Sequence, residues 1–204
     1  LDDYVSRMQE DQDVIWYVTA ENRKAAENSP HLEIFRKKGI EVLLMSDRID
    51  EWVMGYFTEF EGKKLRSIAK GDVDLGSGSD KKEDEKEEDT EKDPLLTRLS
   101  DALSDEVTEV RASQRLTESA SCLVLSEQEL AMHMRRMLEQ AGQTLPNSKP
   151  VLEVNLDHQL LKQTATIDSE EEFKDWASLL FEQAVLAEGG QLEDPAGFVQ
   201  RVNR

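Results

Sequence analysis

The sequence predicts a small parallel-sheet α/β layer over residues 1–70. An acidic linker at 71–93 joins it to an α+β module over 94–204, whose last helices form an intersubunit four-helix bundle. Three observations predict this. The run Val14–Thr19 is β-branched and aromatic almost throughout, as in a strand buried on both faces of a parallel sheet. Between Asp80 and Asp93 stand nine acids and four lysines with no apolar residue, a composition that cannot offset its ordering entropy by burial. From Phe173 to Ala187 ten of fifteen residues are apolar, whereas one core-facing stripe uses about three or four in seven.

The elements follow in order. After the first strand comes a helical segment interrupted at Pro30 and capped by Gly39. Val42–Met45 is the second strand. Ser46 and Asp47 are placed to cap a helix in which Ile49, Trp52, Val53, Tyr56, Phe57 and Phe60 repeat at helical spacing, with Gly62 as its stop. Leu65–Ala69 is a third strand. Alternating strands and helices make a layer with right-handed crossovers. The segment 71–93, opened by Gly76-Ser77-Gly78-Ser79, reads as a disordered linker.

Pro94 starts a helix running to about Leu103. Val107–Val110 and Cys122–Leu125 read as strands. Ser126 with Glu129 is a capping box for a helix to Ala141, which Gly142 ends. Val151–Leu156 alternates as a strand, and a short helix covers His158–Thr164. Ser169 with Glu172 caps the long apolar helix, which stops at Gly189-Gly190. Pro195 opens a last helix that reaches the chain end without a capping signal.

Composition excludes some functions. The net charge of −19 argues against a phosphate-binding surface, so no nucleic acid is expected. No apolar run is long enough for a membrane span, and no signal peptide is read. One cysteine, Cys122, excludes an internal disulfide, fits a cytoplasmic setting and reads as a small core residue. The three histidines lack metal-ligand spacing, and no phosphate-binding glycine loop is present. No catalytic, cofactor-binding or metal residue is assigned. With no initiator methionine, the chain reads as a piece of something longer.

Two helices carry positive signals. The long helix is apolar on most of its circumference and needs cover on more than one side. A second copy is one cover, and a central place in its own module is the other reading. Phe198, Val199 and Val202 of the last helix extend the apolar face. In the helix before Gly142, Leu130, Met134, Met137 and Leu138 form a stripe. It suits either a core or an adaptable binding surface, because methionine reshapes easily. Trp52, beside Glu51, has the same two readings.

At this point the residues resemble the heat-shock protein 90 chaperone family, in its bacterial branch. Tyr4-Val5-Ser6-Arg7-Met8 leading to Trp16-Tyr17-Val18-Thr19 resembles the start of the last middle-domain subdomain. So do Asn28-Ser29-Pro30-His31-Leu32-Glu33, Lys38–Leu44, Asp47-Arg48-Ile49-Asp50-Glu51-Trp52 and Glu59–Lys63. Arg115-Leu116-Thr117, Asp157-His158 and Leu192-Glu193-Asp194-Pro195 resemble the C-terminal dimerisation domain. Leu156 departs from the proline usual before Asp157-His158.

The resemblance implies a homodimeric, ATP-driven chaperone whose ATPase domain lies outside this chain. ATP and Mg are then expected for the full-length protein and not for this part. Partners would be a second copy, partly folded clients and other chaperones. The resemblance places client contact at Glu51, Trp52, Leu130, Met134, Met137 and Leu138. It places the dimer interface at Trp176, Leu179, Leu180, Gln183, Ala184, Ala187, Phe198, Val199 and Val202. The alternative from another class is a small-ligand or nucleotide-binding α/β domain fused to an oligomerisation module, with its ligand at the C-terminal ends of the strands.

Overall fold

The computed structural model describes residues 1–73, 75, 93–145 and 148–204, and shows a mixed α/β chain with two small sheets. In the first, β1 (Val14–Thr19) is central. It runs parallel to β2 (Leu43–Met45) on one side and to β4 (Lys63–Ser67) on the other, and β3 (Glu59–Phe60) adds an antiparallel edge. Both faces of β1 are buried. Trp16 and Val18 pack with Ala26, Leu32, Phe35 and Ile68, while Ile15 and Tyr17 pack with Tyr4, Met54 and Leu65. That two-sided burial is what the unbroken apolar run requires. Tyr4 belongs to α1 (Asp2–Arg7), and its hydroxyl accepts from the Trp16 backbone N–H. The helical segment after β1 is α2 (Arg23–Glu27), a 3₁₀ turn at Pro30–Leu32 and α3 (Glu33–Lys38), which Gly39 ends at φ 66°.

The helix expected from Ser46 to Gly62 is much shorter. α4 covers Asp50–Met54 only, and Phe60 lies in β3. Glu61 and Gly62, at φ 50° and 78°, make the tight turn of the β3–β4 hairpin. Tyr56, Phe57, Thr58 and Phe60 all favour extended backbone, and the hairpin turn overrides their helical spacing.

The second sheet has the order β5 (Glu109–Ala112), β7 (Val151–Val154), β6 (Ser121–Val124); β5 runs parallel to β7 and β6 antiparallel. β5 starts two residues later than expected, because backbone N–H groups as far as Val107 still turn back onto Leu103 after α5 (Pro94–Ala102). α6 is Met132–Gln140, not a helix from Glu127: Glu129 accepts from the Ser126 N–H, but the chain stays extended at Ala131, where the helix begins. α7 (Gln159–Thr164) and α8 (Glu170–Ala187) follow, and α9 (Pro195–Val202) folds back against α8. Leu99, Leu123, Leu152, Leu161, Phe173 and Leu180 are the centre of the second core. Phe173 also lies under the Arg98 guanidinium, 3.7 Å from the ring centroid.

The expected linker falls mostly on 74 and 76–92, outside the described residues. Its first residues belong to the fold. Val73 and Leu75 pack on the first core, and the Gly71 carbonyl and Asp72 carboxylate meet the second module. The backbone crosses between modules as well: Leu125 N–H donates to Ala69 and Gly71 N–H donates to Leu125, making a parallel bridge at Lys70.

Arg115 closes this joint. Its guanidinium donates to the carbonyls of Ile68 (2.7 Å) and Gly71 (3.0 Å), and pairs with Glu153 at 2.9 Å. Arg115 and Glu153 are both buried. Arg111 and Ser113 complete the Glu153 carboxylate. Removing one partner of a buried pair leaves a charge without its counter-charge. Arg115→Met is therefore expected to lower stability by about 3 kcal/mol, near the low end for such pairs because Arg111 remains. Urea unfolding followed by circular dichroism measures this, and a loss under about 1 kcal/mol would contradict the assignment.

Candidate functional site

Trp52 lies on α4, and half of its surface (50%) meets solvent. It is not alone: Ile49, Val53 and Phe57 are also exposed, and Tyr56 is 90% exposed. These five large apolar residues within nine positions come from the stripe that the sequence assigned to a longer helix. Because α4 stops at Met54, only Met54 and the neighbouring Glu51 face inward.

Glu51 itself is 7% exposed, so it is not available for the client contact expected of it. Its carboxylate accepts from Thr19 Oγ1 (2.6 Å), Lys70 Nζ (2.8 Å) and the Ala131 N–H (3.1 Å). Burial pushes its pKa up, but Lys70, the Thr19 hydroxyl and the Ala131 amide outweigh this and hold it below the usual carboxylate range. Tyr17 beneath it is pushed up to about 12 by burial and by the Glu51 and Glu127 charges. Thr19 and Lys70 mark the C-terminal ends of the parallel strands, where an α/β domain ordinarily takes a ligand. Here this group and Leu125 fill the position.

The methionine stripe divides. Met134 is 2% exposed and so closed to a client, Leu130 and Leu138 are half-buried, and Met137 is exposed. α6 docks on the first module: Arg136 pairs with Glu21 at 2.7 Å, and His133 is buried, which pushes its pKa down.

The expected interface set divides as well. Leu180 and Ala184 lie in the core of their own module, and Gln183 donates to Ser121 Oγ. Their places follow from the core face of α8, where Phe173, Ala177, Leu180 and Ala184 recur at three- and four-residue spacing with Val185 beside them. α9 covers part of the rest, fastened by Arg201 to Glu182 and by Arg204 to Asp175. Trp176, Leu179 and Phe198 are half-buried; Ala187, Val199 (54%) and Val202 (60%) are exposed. Leu186, absent from the expected set, is exposed beside them and lines one groove with Phe198 and Val199.

Two further contacts, unassigned from sequence, join the modules. The Glu33 carboxylate accepts from the backbone N–H groups of Thr117, Glu118 and Ser119 and from the Ser119 hydroxyl. These donors lower its pKa despite burial. His31 Nε2 lies 2.8 Å from Glu188 Oε1, out of hydrogen-bond alignment. A contact 84 residues apart in sequence leaves no local signal. Cys122 is fully buried, which pushes its thiol pKa well up and suits a core position. Among the described residues, no group of three or more His, Cys, Asp or Glu could hold a metal, and no helix is long and apolar enough to cross a membrane.

Contiguous exposed apolar patches mark places where a protein meets a partner, a membrane or a ligand. A family profile described as Hsp90 protein matches residues 1–204, and the chain belongs to that family. It is 53% identical over its whole length to a protein named Chaperone protein HtpG from Legionella pneumophila (strain Paris), covering 33% of it. It is 55% identical to the protein of the same name from Dechloromonas aromatica (strain RCB), again over the whole chain and 32% of the relative. The chain thus spans about a third of the length of these curated relatives.

Glu33 and Glu51 have pKa values depressed by folding. Their stabilisation is fully present above the ordinary carboxylate pKa and is lost as pH falls through the depressed values. Stability should therefore fall with acidification from about pH 5 downward. In Glu33→Gln the thermal midpoint should be lower at neutral pH and the acid slope shallower. Scanning calorimetry between neutral and acid pH tests this; an unchanged slope counts against the Glu33 contact.

Proposed function

We propose that this chain is the part of a cytoplasmic, ATP-dependent chaperone that pairs two copies and holds partly folded clients, and that it binds no nucleotide itself. The observation that carries the reading is the solvent-facing group Ile49, Trp52, Val53, Tyr56 and Phe57 on a member of the Hsp90 family. A client's exposed apolar segments would be desolvated against this face and against Met137, Leu130 and Leu138. Pairing is assigned to the outer face of α8 and α9, with Leu186, Ala187, Val199 and Val202 meeting the same residues of a second copy in an isologous four-helix bundle. The ATPase domain, acting from elsewhere in the full-length protein, would alter the geometry between the paired copies.

Val199→Asp combined with Val202→Asp is expected to give a monomer at micromolar concentration that still unfolds cooperatively, since both residues are exposed within one chain, with a midpoint lowered only by the loss of the partner. Leu180→Asp is expected to unfold its module instead, because the charge would enter the core. Light scattering beside thermal unfolding separates the two outcomes, and a dimeric Val199/Val202 variant would remove the bundle assignment. Trp52→Arg should weaken suppression of client aggregation without changing the mass. A thermal-shift titration with MgATP should leave the midpoint in place; a rise would favour the ligand-binding alternative.

A further inference from the structure

We propose that Glu51 is a positioning residue that locks α4 to the start of α6, so that the exposed face of α4 and Met137 act as one continuous client-binding surface. The inference rests on the client-holding reading above. Glu51 and Trp52 are consecutive, so their side chains leave α4 about 100° apart. Trp52 takes the outward direction and Glu51 the inward one. Both Glu51 oxygens are spent inside the fold, on Thr19 at the end of β1, on Lys70 at the bridge between the modules and on the Ala131 N–H. A client cannot reach a carboxylate that is 7% exposed and bonded on three sides.

What Glu51 does reach is the backbone N–H of Ala131, the residue at which α6 begins. Ala131 is the N-cap residue of α6, extended at ψ 145°, and no side chain of its own segment caps it. Glu51 therefore ties the start of α6, and with it Met134 and Met137, to the helix carrying Trp52, while Arg136 and Glu21 make a separate pair between α6 and the first module. Lys70 supplies the counter-charge, 15% exposed and turned to the same interior. Without the carboxylate, Lys70 loses its buried partner and the Ala131 N–H its acceptor, and the two apolar faces are no longer held in register.

The test uses the whole chain with heat-denatured malate dehydrogenase as the client. Suppression of its aggregation is read by light scattering, and the separation of α4 from α6 by distances between labels at Tyr56→Cys and Met137→Cys. Glu51→Gln and Lys70→Met should each raise the concentration for half-suppression roughly three- to tenfold, and the double variant should be no worse than the worse single. Both should broaden the label distance. Trp52→Arg should lose suppression with the distance unchanged. If Lys70→Met, or Thr19→Val should Lys70→Met not fold, keeps full suppression while Glu51→Gln loses it, Glu51 touches the client and the proposal falls. If Trp52→Arg leaves suppression intact, the client-holding reading falls instead. The label distances then decide separately whether Glu51 holds α4 to α6: unchanged distances in Glu51→Gln overturn the lock.

Discussion

The buried pair of Arg115 and Glu153 holds the two halves of this chain in one arrangement. Arg115 belongs to the second module, yet it binds the carbonyls of Ile68 and Gly71 at the end of the first. Those carbonyls stand where β4 has left its own sheet, and the guanidinium fork satisfies both at once. The single-residue bridge at Lys70 and Leu125, the Glu33 contact and the Glu51 group all lie around this joint. Each would lose its partner if the modules swung apart.

A joint of this composition fixes direction. Apolar contact is indifferent to orientation, whereas each hydrogen bond demands its own geometry. Between the modules the polar groups are multidentate: one guanidinium on two carbonyls and a carboxylate, one carboxylate on three successive amides. Most of the large buried apolar residues belong to the cores within each module, and others face outward on α4, α6, α8 and α9. An apolar joint of similar extent would have given the unfolded chain a further sticky surface without defining an angle.

How much of this was legible in the sequence depends on the range of each interaction. β1, α3 with Gly39, α5 with Asp93 and Pro94, and α8 with Ser169 carry local signals, and the chain folds accordingly. The stripe from Ile49 to Phe60 misled, because an aromatic and β-branched run at helical spacing also satisfies a hairpin once Glu61 and Gly62 supply the turn. α6 begins only after Ala131, whose N–H goes to Glu51, 80 residues away, a contact that leaves no local signal. Of the site residues, Trp52 and Met137 lie on the surface, while Glu51 and Met134 do not. No local pattern distinguishes these cases, since the same amphipathic face serves a core or a partner.

The long helix α8 shows why that ambiguity resolves only in three dimensions. Ten apolar residues in fifteen required more than one cover. One is the module's own sheet, which takes Phe173, Ala177, Leu180 and Ala184. A second is α9, laid along it and tied down at its C-terminal end by Arg201 and Arg204. α9 buries none of its own residues fully in doing so, and turns Val199 and Val202 outward. The demand for cover is thus passed from α8 to the surface of α9 and the neighbouring Leu186. An eight-residue helix with two exposed valines is weakly held by one chain alone, and a second copy packed on that face would steady it as well as join the pair.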